Sequence, residues 1–394
     1  MNETFRFIGF ESGKLEQVDR IIVHQFDPSQ PSPGGIDTCI RGLCKFMPES
    51  TRLAIVGVAA GEGPKGRKIG VWEHYSIGTR RVSFLPVATL DPSEQARFRI
   101  PHSARLVVGA LRHVRRLPKA EIYQAHRADT ALVLRLFAKS RFSYFIHTQD
   151  QGITSSSSDS LWTRAAEIHE AIERRVIRSS DSVVVFNESY ASSVKELNPA
   201  AIFSPTWFDP DLIAQVDHEK GYDVVWVGRL EKPKDPILAL RAFSSLLNSN
   251  REKPWKLTVI GSGVLSEELR SIAKDINSQF GTRIILAGRL SPSDVADRLS
   301  SADVFLMTSQ PGYEGYPRVL VESMASGLIP VVTEGSDTGG LIENGTNGFV
   351  TSRDPEDLAA CLSEARSIDP HLAIRSVVDL SAPGVVTRIF ERSI

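Results

Sequence analysis

The stretch that decides the fold is Ser309-Gln-Pro-Gly-Tyr-Glu314-Gly-Tyr-Pro-Arg-Val-Leu-Val-Glu322-Ser-Met-Ala-Ser-Gly327. The apolar run before it, from Asp303 to Thr308, predicts a buried parallel strand. Apolar residues at helical spacing then predict a helix that begins near Tyr316 or Pro317 and ends at Gly327. The order is therefore strand, tight loop and helix, the unit from which parallel α/β sheets are built.

Two carboxylates of this stretch are candidates for ligand binding. Glu314 lies in the loop at the carboxyl end of the predicted strand, and Glu322 lies about one turn into the helix. The N-terminus of that helix offers free N–H groups and the positive end of a dipole to a phosphate or a polyhydroxyl ligand. The pattern also fits a Glu314 that replaces a helix N-cap and a solvated Glu322, so a purely structural role stays open at this point.

Length and composition bound the class of protein. A chain of 394 residues predicts two domains. A charged fraction of 24% with a formal net charge of -1 is typical of a soluble globular protein and argues against general nucleic-acid binding. Cys39, Cys44 and Cys361 have neither zinc-type spacing nor a disulfide framework, so we expect no metal and a reducing cytoplasm. Neither a signal-peptide pattern nor a membrane-spanning apolar segment is visible.

The rest of the chain alternates short apolar runs with longer amphipathic ones, which predicts βαβ units and a mostly parallel sheet. In the first series the expected strands are 21–25, 52–57, 82–85, 121–124, 144–147 and 182–186. The helices expected between them lie near 35–47, 102–117, 129–139, 158–179 and 188–197.

The alternation starts afresh after a turn-rich segment at 204–210 and a polar linker at 216–222. In the second series the expected strands are 223–228, 255–261, 283–288, 303–308 and 329–333. The expected helices lie near 235–249, 265–278, 292–300, 317–326, 354–367 and 383–392. We therefore expect two doubly wound α/β domains, 1–210 and 211–375, and a terminal helix within 376–394 that returns to the first domain. The carboxyl ends of the strands would face a central cleft.

Candidate binding residues follow the predicted strands of both domains. In the first domain Gly34 and Gly35 enter a helix, where a phosphate can come close to the backbone, although paired glycines are also ordinary turn formers. His147 ends a strand and is more suited to a ligand than to the core, and His126 occupies a similar place.

In the second domain Gly228, Arg229 and Lys234 follow the first strand, and Gly261 follows the next. Arg229 offers a bidentate fork and Lys234 a compact charge, a combination that suits a diphosphate. Bare surface charge is the structural alternative for both cations.

Together these motifs resemble the retaining glycosyltransferases of family 4, which have the GT-B fold. The likeness runs from residue 20 onward and is strongest over 223–350. Two segments depart from the family pattern: 206–209 lacks its Asn-Gly-Val-Asp-like turn, and 335–340 lacks its glutamate. The matching elements are Pro33-Gly34-Gly35, Gly228-Arg229-Leu230 with Lys234, Gly261-Ser-Gly263, Gly288-Arg289-Leu290, Glu314-x7-Glu322 and Gly345-Thr-Asn-Gly348.

The resemblance implies transfer of a sugar from a nucleotide diphosphate sugar to a hydroxyl acceptor, with retention at the anomeric carbon and without a metal or other cofactor. It implies a first domain that binds the acceptor and a second that binds the donor. The residues implied in catalysis are His147, Arg229, Lys234 and Glu314. The residues implied in donor binding are Gly34, Gly35, Gly228, Gly261, Gly315, Tyr316, Pro317 and Glu322.

Two rival classes stay open: a GT-B-fold nucleotide-sugar epimerase and a catalytically silent scaffold. A further expectation concerns the membrane, because the segment 97–119 is rich in cations and poor in acids. On the helix expected at 102–117, Val107, Leu111 and Val114 form an apolar stripe beside arginines. This helix would either rest peripherally on the inner face of an anionic membrane or pack its stripe on the sheet. The cations are Arg97, Arg99, Arg105, Arg112, Arg115, Arg116 and Lys119.

Overall fold

The computed structural model describes residues 5–30, 34–90, 102–137, 140–147, 160–213 and 221–393. Within these limits the chain divides into two compact units, Met1–Ser204 with Val386–Ile394 and Pro205–Val385. Several residues named above lie outside the described ranges: Pro33, Arg97, Arg99 and most of the linker at 216–222.

The first unit is a mostly parallel sheet with helices between its strands, as the alternation predicts. From edge to edge the strands follow the order β1-β4-β5-β3-β2-β6-β7-β8-β9. They are β1 (Arg6–Glu11), β2 (Gln17–Val23), β3 (Leu53–Ala60), β4 (Trp72–Ile77), β5 (Arg80–Leu90), β6 (Lys119–Ala125), β7 (Arg141–Ile146), β8 (Ser182–Val185) and β9 (Ala201–Phe203). The helices are α1 (Gly35–Phe46), α2 (His102–Arg112), α3 (Ala128–Phe137), α4 (Ser160–Ser179) and α5 (Glu188–Leu197).

The winding of this sheet reverses between β2 and β6. The chain builds outward from β2 to β3 and β5 on one side and then returns to add β6, β7, β8 and β9 on the other. The pairs in this part of the sheet are parallel, whereas β4 pairs antiparallel with both β5 and β1. In doubly wound sheets, ligands bind outside the carboxyl ends of the two strands at such a reversal.

The second unit is a parallel sheet with the order β12-β11-β10-β13-β14-β15, so its winding reverses between β10 and β13. The strands are β10 (Asp223–Val227), β11 (Lys256–Ile260), β12 (Ile284–Gly288), β13 (Val304–Met307), β14 (Ile329–Thr333) and β15 (Phe349–Thr351). The helices are α6 (Pro236–Ser249), α7 (Ser266–Phe280), α8 (Pro292–Ser300), α9 (Arg318–Ala325), α10 (Pro355–Ala365) and α11 (Pro370–Val377). The last helix, α12 (Ala382–Arg392), begins in the second unit and belongs to the first unit from Val386 onward.

Some elements differ from the sequence-based expectation. The helix expected at 102–117 ends at Arg112 and is followed by a 3-10 turn, Val114–Arg116. The sequence pattern also missed β1, β4, β9, β15 and α11. The first unit ends at Ser204 rather than at residue 210, because Phe208 pairs with Ser381 within the second unit.

A buried ionic network explains why β4 was missed and holds a loop beside the sheet reversal. Glu73 on β4 is buried, and Arg67 pairs with it at 2.8 Å and with Asp27 at 2.6 Å. The Tyr75 hydroxyl also donates to Glu73. Because β4 also contains His74 and Ser76, its sequence lacks a clear apolar run, although Glu73 is buried and paired. Because Asp27 follows β2, the network fixes the start of the loop that leads to Gly34.

Candidate functional site

In the second unit, the loops that follow β10 and β13 meet at the reversal of the sheet. Lys234 and Glu314 join them, with Nζ and Oε1 2.6 Å apart and side chains only 15% and 9% exposed. The Ser309 hydroxyl donates to the same Glu314 oxygen. Glu314 is not a substitute N-cap, because the N-cap position of α9 is Pro317. The structure thus brings two of the predicted catalytic residues into direct contact.

A rigid scaffold lies beneath this ion pair. Asp235 adopts the left-handed conformation, with φ 44°, and its carboxylate caps α6 by accepting from the Leu238 N–H. The Thr308 hydroxyl accepts from the Trp226 indole at 3.0 Å and donates to the Asp235 carbonyl at 2.8 Å. The backbone on both sides of Lys234 and Glu314 is therefore tied to the adjoining strand ends.

Arg353 is part of this scaffold, and sequence reasoning did not identify it. Its guanidinium pairs with the Asp235 carboxylate and donates to the carbonyls of Thr308 and Ser309, at 2.9 and 2.7 Å. The sequence signal for Arg353 was its position, two residues after β15 and directly before Asp354, the N-cap of α10. A cation at the carboxyl end of an edge strand faces the same side of the sheet as Lys234.

Arg229 reaches the same loop from a more open position. Its side chain is 65% exposed, pairs with Glu231 at 3.1 Å, and donates to the Tyr313 hydroxyl. Lys234 lies 5.7 Å from the centre of the same Tyr313 ring. The two predicted cations therefore flank Tyr313, and only Lys234 is bound to a site carboxylate.

Gly228 and Gly261 have a packing reason to be glycine. A Cβ at Gly261 would lie 1.8 Å from the Gly228 carbonyl oxygen, and Gly261 has a φ of 144°. The Gly228 N–H donates to the Ile260 carbonyl at 3.0 Å. This close approach of the backbones after β10 and β11 explains Gly261, whereas a Cβ at Gly228 would lie 3.0 Å from the Trp226 ring. Contact of either glycine with a donor stays a prediction.

The predicted donor-binding residues around α9 lie on one continuous segment. The Gly315 carbonyl accepts from the Thr338 hydroxyl at 2.6 Å. Tyr316 is buried against Gly339, where a Cβ would lie 2.7 Å from its ring. Pro317 is buried at the N-cap, and Glu322 is half-buried on the helix. The loop that lacks the family's glutamate thus packs directly on the entrance to α9.

In the first unit, three histidines follow adjoining strands at the reversal of the sheet. His24 follows β2, His126 follows β6 and His147 follows β7. His126 Nδ1 lies 2.7 Å from His147 Nε2, a hydrogen bond between two imidazoles. Burial lowers the pKa of His24 to about 3, and it lowers the pKa of His126 well below its usual value. Both rings are therefore neutral near pH 7.

Two further features of the first unit belong to α1. Gly34 is the N-cap of α1, and a Cβ on Gly35 would meet nothing within 4 Å, so packing does not require a glycine there. Cys39 of α1 brings its sulfur within 4.8 Å of a ring nitrogen of His126 and of His147. These three residues could hold a metal ion, and the expectation of no metal stays a prediction. Sequence spacing could not show this cluster, because α1, β6 and β7 meet only in the folded sheet.

Comparison with known proteins gives the second unit a family. Residues 221–366 match the family model described as "Glycosyl transferases group 1". The chain is 30% identical over 149 residues to the Campylobacter jejuni protein named "GalNAc-alpha-(1->4)-GalNAc-alpha-(1->3)-diNAcBac-PP-undecaprenol alpha-1,4-N-acetyl-D-galactosaminyltransferase", which is 38% of this chain and 37% of that protein. The chain spans under half the length of the curated relatives it matches. The family match therefore lies within the second unit.

Solved structures extend the likeness to nearly the whole chain. Sucrose-phosphate synthase from Thermosynechococcus elongatus matches with a TM-score of 0.71 at 14% identity, over 96% of this chain and 98% of that one. The Anabaena protein Alr3699/HepE, solved with UDP and glucose, matches with a TM-score of 0.65 at 14% identity, over 95% and 98%. These matches confirm the GT-B fold. Among the described residues, the helices are all too short or too polar to cross a bilayer.

The burial of the Lys234–Glu314 pair generates a prediction about stability. Lys234→Met leaves a buried carboxylate without its cation, so the free energy of unfolding of the second unit should fall by about 3–5 kcal/mol. Glu314→Gln in the same chain removes the uncompensated charge and should restore part of the loss. Urea unfolding of the two single variants and the double variant measures the coupling.

The control is Lys232→Met, which removes an exposed lysine from the same loop. It should stay close to the wild type. A Lys234→Met variant as stable as this control would show that the ion pair contributes little.

Proposed function

We propose that the protein is a retaining glycosyltransferase of family 4 that moves a sugar from a nucleotide diphosphate sugar to a hydroxyl acceptor. The observation that carries the proposal is the Lys234–Glu314 contact at the sheet reversal, within the domain that matches the glycosyl transferases group 1. In this proposal the second unit binds the donor and the first unit binds the acceptor.

The cations act on the charge that develops in the reaction. As the bond between the anomeric carbon and the diphosphate oxygen breaks, negative charge grows on the diphosphate, and Lys234 and Arg229 stabilise it. The N-terminus of α9 adds a dipole of the same sense. One well-placed group of this kind contributes roughly 3–4 kcal/mol to the transition state. The acceptor oxygen bonds to the anomeric carbon on the face that the diphosphate leaves, and its proton is released. No metal is needed in this scheme.

The carboxylates orient the donor. Glu314 binds hydroxyls of the sugar, Glu322 binds the ribose, and the backbone of Gly315, Tyr316 and Pro317 approaches the phosphates. His147 contacts a hydroxyl of the transferred sugar. Because Lys234 and Glu314 are paired at 2.6 Å, a donor that offers a phosphate to one and a hydroxyl to the other can engage both.

A panel of nucleotide sugars distinguishes this proposal from its rivals. A transferase slowly releases nucleotide diphosphate even without an acceptor, whereas an epimerase returns an isomeric nucleotide sugar. A scaffold does neither. The proposal fails if the protein releases nucleotide diphosphate from none of the UDP-, GDP- and ADP-sugars.

The ribose contact generates a kinetic prediction for Glu322→Gln. A ribose contact is made equally in the ground state and the transition state, so its loss should raise KM without a matching fall in kcat. The expected rise is roughly 10- to 100-fold, the range for a hydrogen bond to a charged group. Steady-state kinetics with the donor found in the panel, and calorimetry with the free nucleotide diphosphate, measure it.

The control is Glu364→Gln, at an exposed position of α10. If Glu322→Gln binds nucleotide diphosphate as the control does, Glu322 does not bind the ribose.

A second part of the proposal is that the acceptor is lipid-linked and that α2 meets an anionic membrane. The Campylobacter relative is named for a PP-undecaprenol compound.

On α2, Leu106 and Ala110 face the core, so the expectation that Val107, Leu111 and Val114 pack on the sheet as one stripe was wrong. Instead Val108, Leu111 and Val114 are exposed.

The arginines complete this surface. Arg112, Arg115 and Arg116 are exposed beside the apolar side chains, and Arg116 also donates to the Gly70 carbonyl at 2.7 Å. An exposed apolar ridge flanked by arginines suits a bilayer surface that carries negative charge. The protein would then work as a peripheral protein on the cytoplasmic face.

Charge reversal on this surface generates a prediction for vesicle binding. Wild-type protein should sediment with phosphatidylglycerol vesicles at low salt and be released at high salt. Arg115→Glu removes one attraction and adds one repulsion, about 2 kcal/mol, so the affinity should fall roughly 30-fold.

Arg141→Glu, at an exposed position on β7, makes the same charge change elsewhere on the unit and should have a smaller effect. Equal losses for both variants would contradict a specific surface, and a wild-type protein that stays in the supernatant at low salt would exclude it.

A further inference from the structure

A chain of four polar side chains crosses the first unit from β2 to the end of β7. The Arg20 guanidinium is 2.8 Å from Gln124 Oε1, and Gln124 Nε2 is 2.8 Å from His126 Nε2. His126 Nδ1 is in turn 2.7 Å from His147 Nε2. Arg20, Gln124 and His126 are buried, whereas His147 is half-buried at the end of the chain.

Chemistry determines the direction of every bond in this chain. A guanidinium can only donate, so the Gln124 oxygen accepts and its amide nitrogen donates to His126 Nε2. Because His126 Nε2 accepts this bond it carries no proton, so the single proton of the ring lies on Nδ1. His126 therefore donates to His147 Nε2. A neutral His147 must then carry its proton on Nδ1.

Arg20, the first side chain of this hydrogen-bonded series, is held in place by further contacts. Arg20 also donates to the Ser393 hydroxyl at 2.9 Å and lies over the Phe390 ring at 4.7 Å. Burial lowers the pKa of Arg20 to about 10, which still leaves the guanidinium charged near pH 7. Because Arg20 is fixed by the C-terminal segment of the same unit, the Gln124 amide cannot turn over without losing a buried hydrogen bond.

We propose that Gln124, oriented by Arg20, is a positioning residue that holds His147 as the neutral tautomer protonated on Nδ1. This inference rests on the proposed function, in which His147 contacts the transferred sugar. A second proton on His147 would place its Nε2–H against the N–H of His126, so the chain also disfavours the cation. His147 then serves as a fixed hydrogen-bond donor through Nδ1.

A ring nitrogen of His126 and one of His147, with the Cys39 sulfur, are the potential metal ligands described above. Two nitrogens bound to one tetrahedral zinc lie ~3.3 Å apart, given zinc–nitrogen bonds of about 2.0 Å. The observed 2.7 Å is the distance of a hydrogen bond, in which one ring donates its N–H to the nitrogen of the other. The geometry therefore favours a hydrogen bond between the two histidines over a metal site. Metal binding is one outcome of the test.

The test is Gln124→Glu, followed by ¹⁵N NMR of histidine-labelled full-length protein. A carboxylate accepts from Arg20 and also accepts from His126, so the His126 proton moves to Nε2. His126 Nδ1 then accepts from His147, whose proton moves to Nε2. The His147 signals, assigned with His147→Gln, should report Nδ1–H in the wild type and Nε2–H in the variant. With a donor found in the panel, kcat should fall roughly 10- to 100-fold with little change in KM.

Two further variants keep the result interpretable. Gln124→Met removes the donor to His126 without adding charge, so both His147 tautomers should be populated if Gln124→Glu does not fold. Tyr144→Phe removes another buried hydrogen bond of this sheet, the 2.8 Å contact with Glu173, and should leave the histidine signals unchanged.

The NMR measurement does not depend on turnover. If the protein uses no nucleotide sugar, the proposed function fails. The tautomer of His147 still tests whether Gln124 positions that side chain. A folded Gln124→Glu variant whose His147 keeps its proton on Nδ1 would overturn the proposal that Gln124 sets this tautomer. So would stoichiometric zinc that binds the wild type and shifts the His126 and His147 signals.

Discussion

The ion pair between Lys234 and Glu314 is the interaction on which the second unit's site depends. Two opposite charges this deeply buried are tolerated only when further groups surround them, because desolvation costs several kcal/mol per ion. Ser309 supplies a hydrogen bond to the carboxylate, and Arg353 with Asp235 fixes the backbone on either side. The pair therefore needs the whole carboxyl end of the sheet to be in place, and it links the strand β10 to the loop before α9.

Both units place polar groups where the winding of the sheet reverses. The chemistry of these groups differs between the two units. At the reversal in the second unit the groups are charged and paired, which suits an anionic ligand with hydroxyls. At the reversal in the first unit they are neutral imidazoles in a hydrogen-bonded chain. Neutral donors at fixed positions discriminate hydroxyl groups without attracting charge. The Arg67 network supports the site in the first unit by fixing Asp27, which follows β2.

Local sequence signals predicted most of the second unit, because its helices carry their own start signals. Asp235, Ser291, Asp354 and Asp369 cap helices that begin with proline, and these helices begin close to the predicted residues wherever one was expected. β4 was missed because it contains Glu73, His74 and Ser76, and the burial of Glu73 depends on its pairing with Arg67. Arg353 and the Cys39–His126–His147 cluster were missed for a different reason: their partners are distant in sequence and meet only through the sheet.

The most direct test of the account is calorimetry of nucleotide diphosphate binding to folded wild-type, Lys234→Met and Lys232→Met proteins. The account predicts that Lys234→Met loses at least about 10-fold in affinity, because a charge-assisted contact at the site contributes roughly 1.5–3 kcal/mol, while Lys232→Met binds as the wild type does. If Lys234→Met binds UDP, GDP or ADP as tightly as the wild type, the site at the reversal of the second sheet is not a diphosphate site.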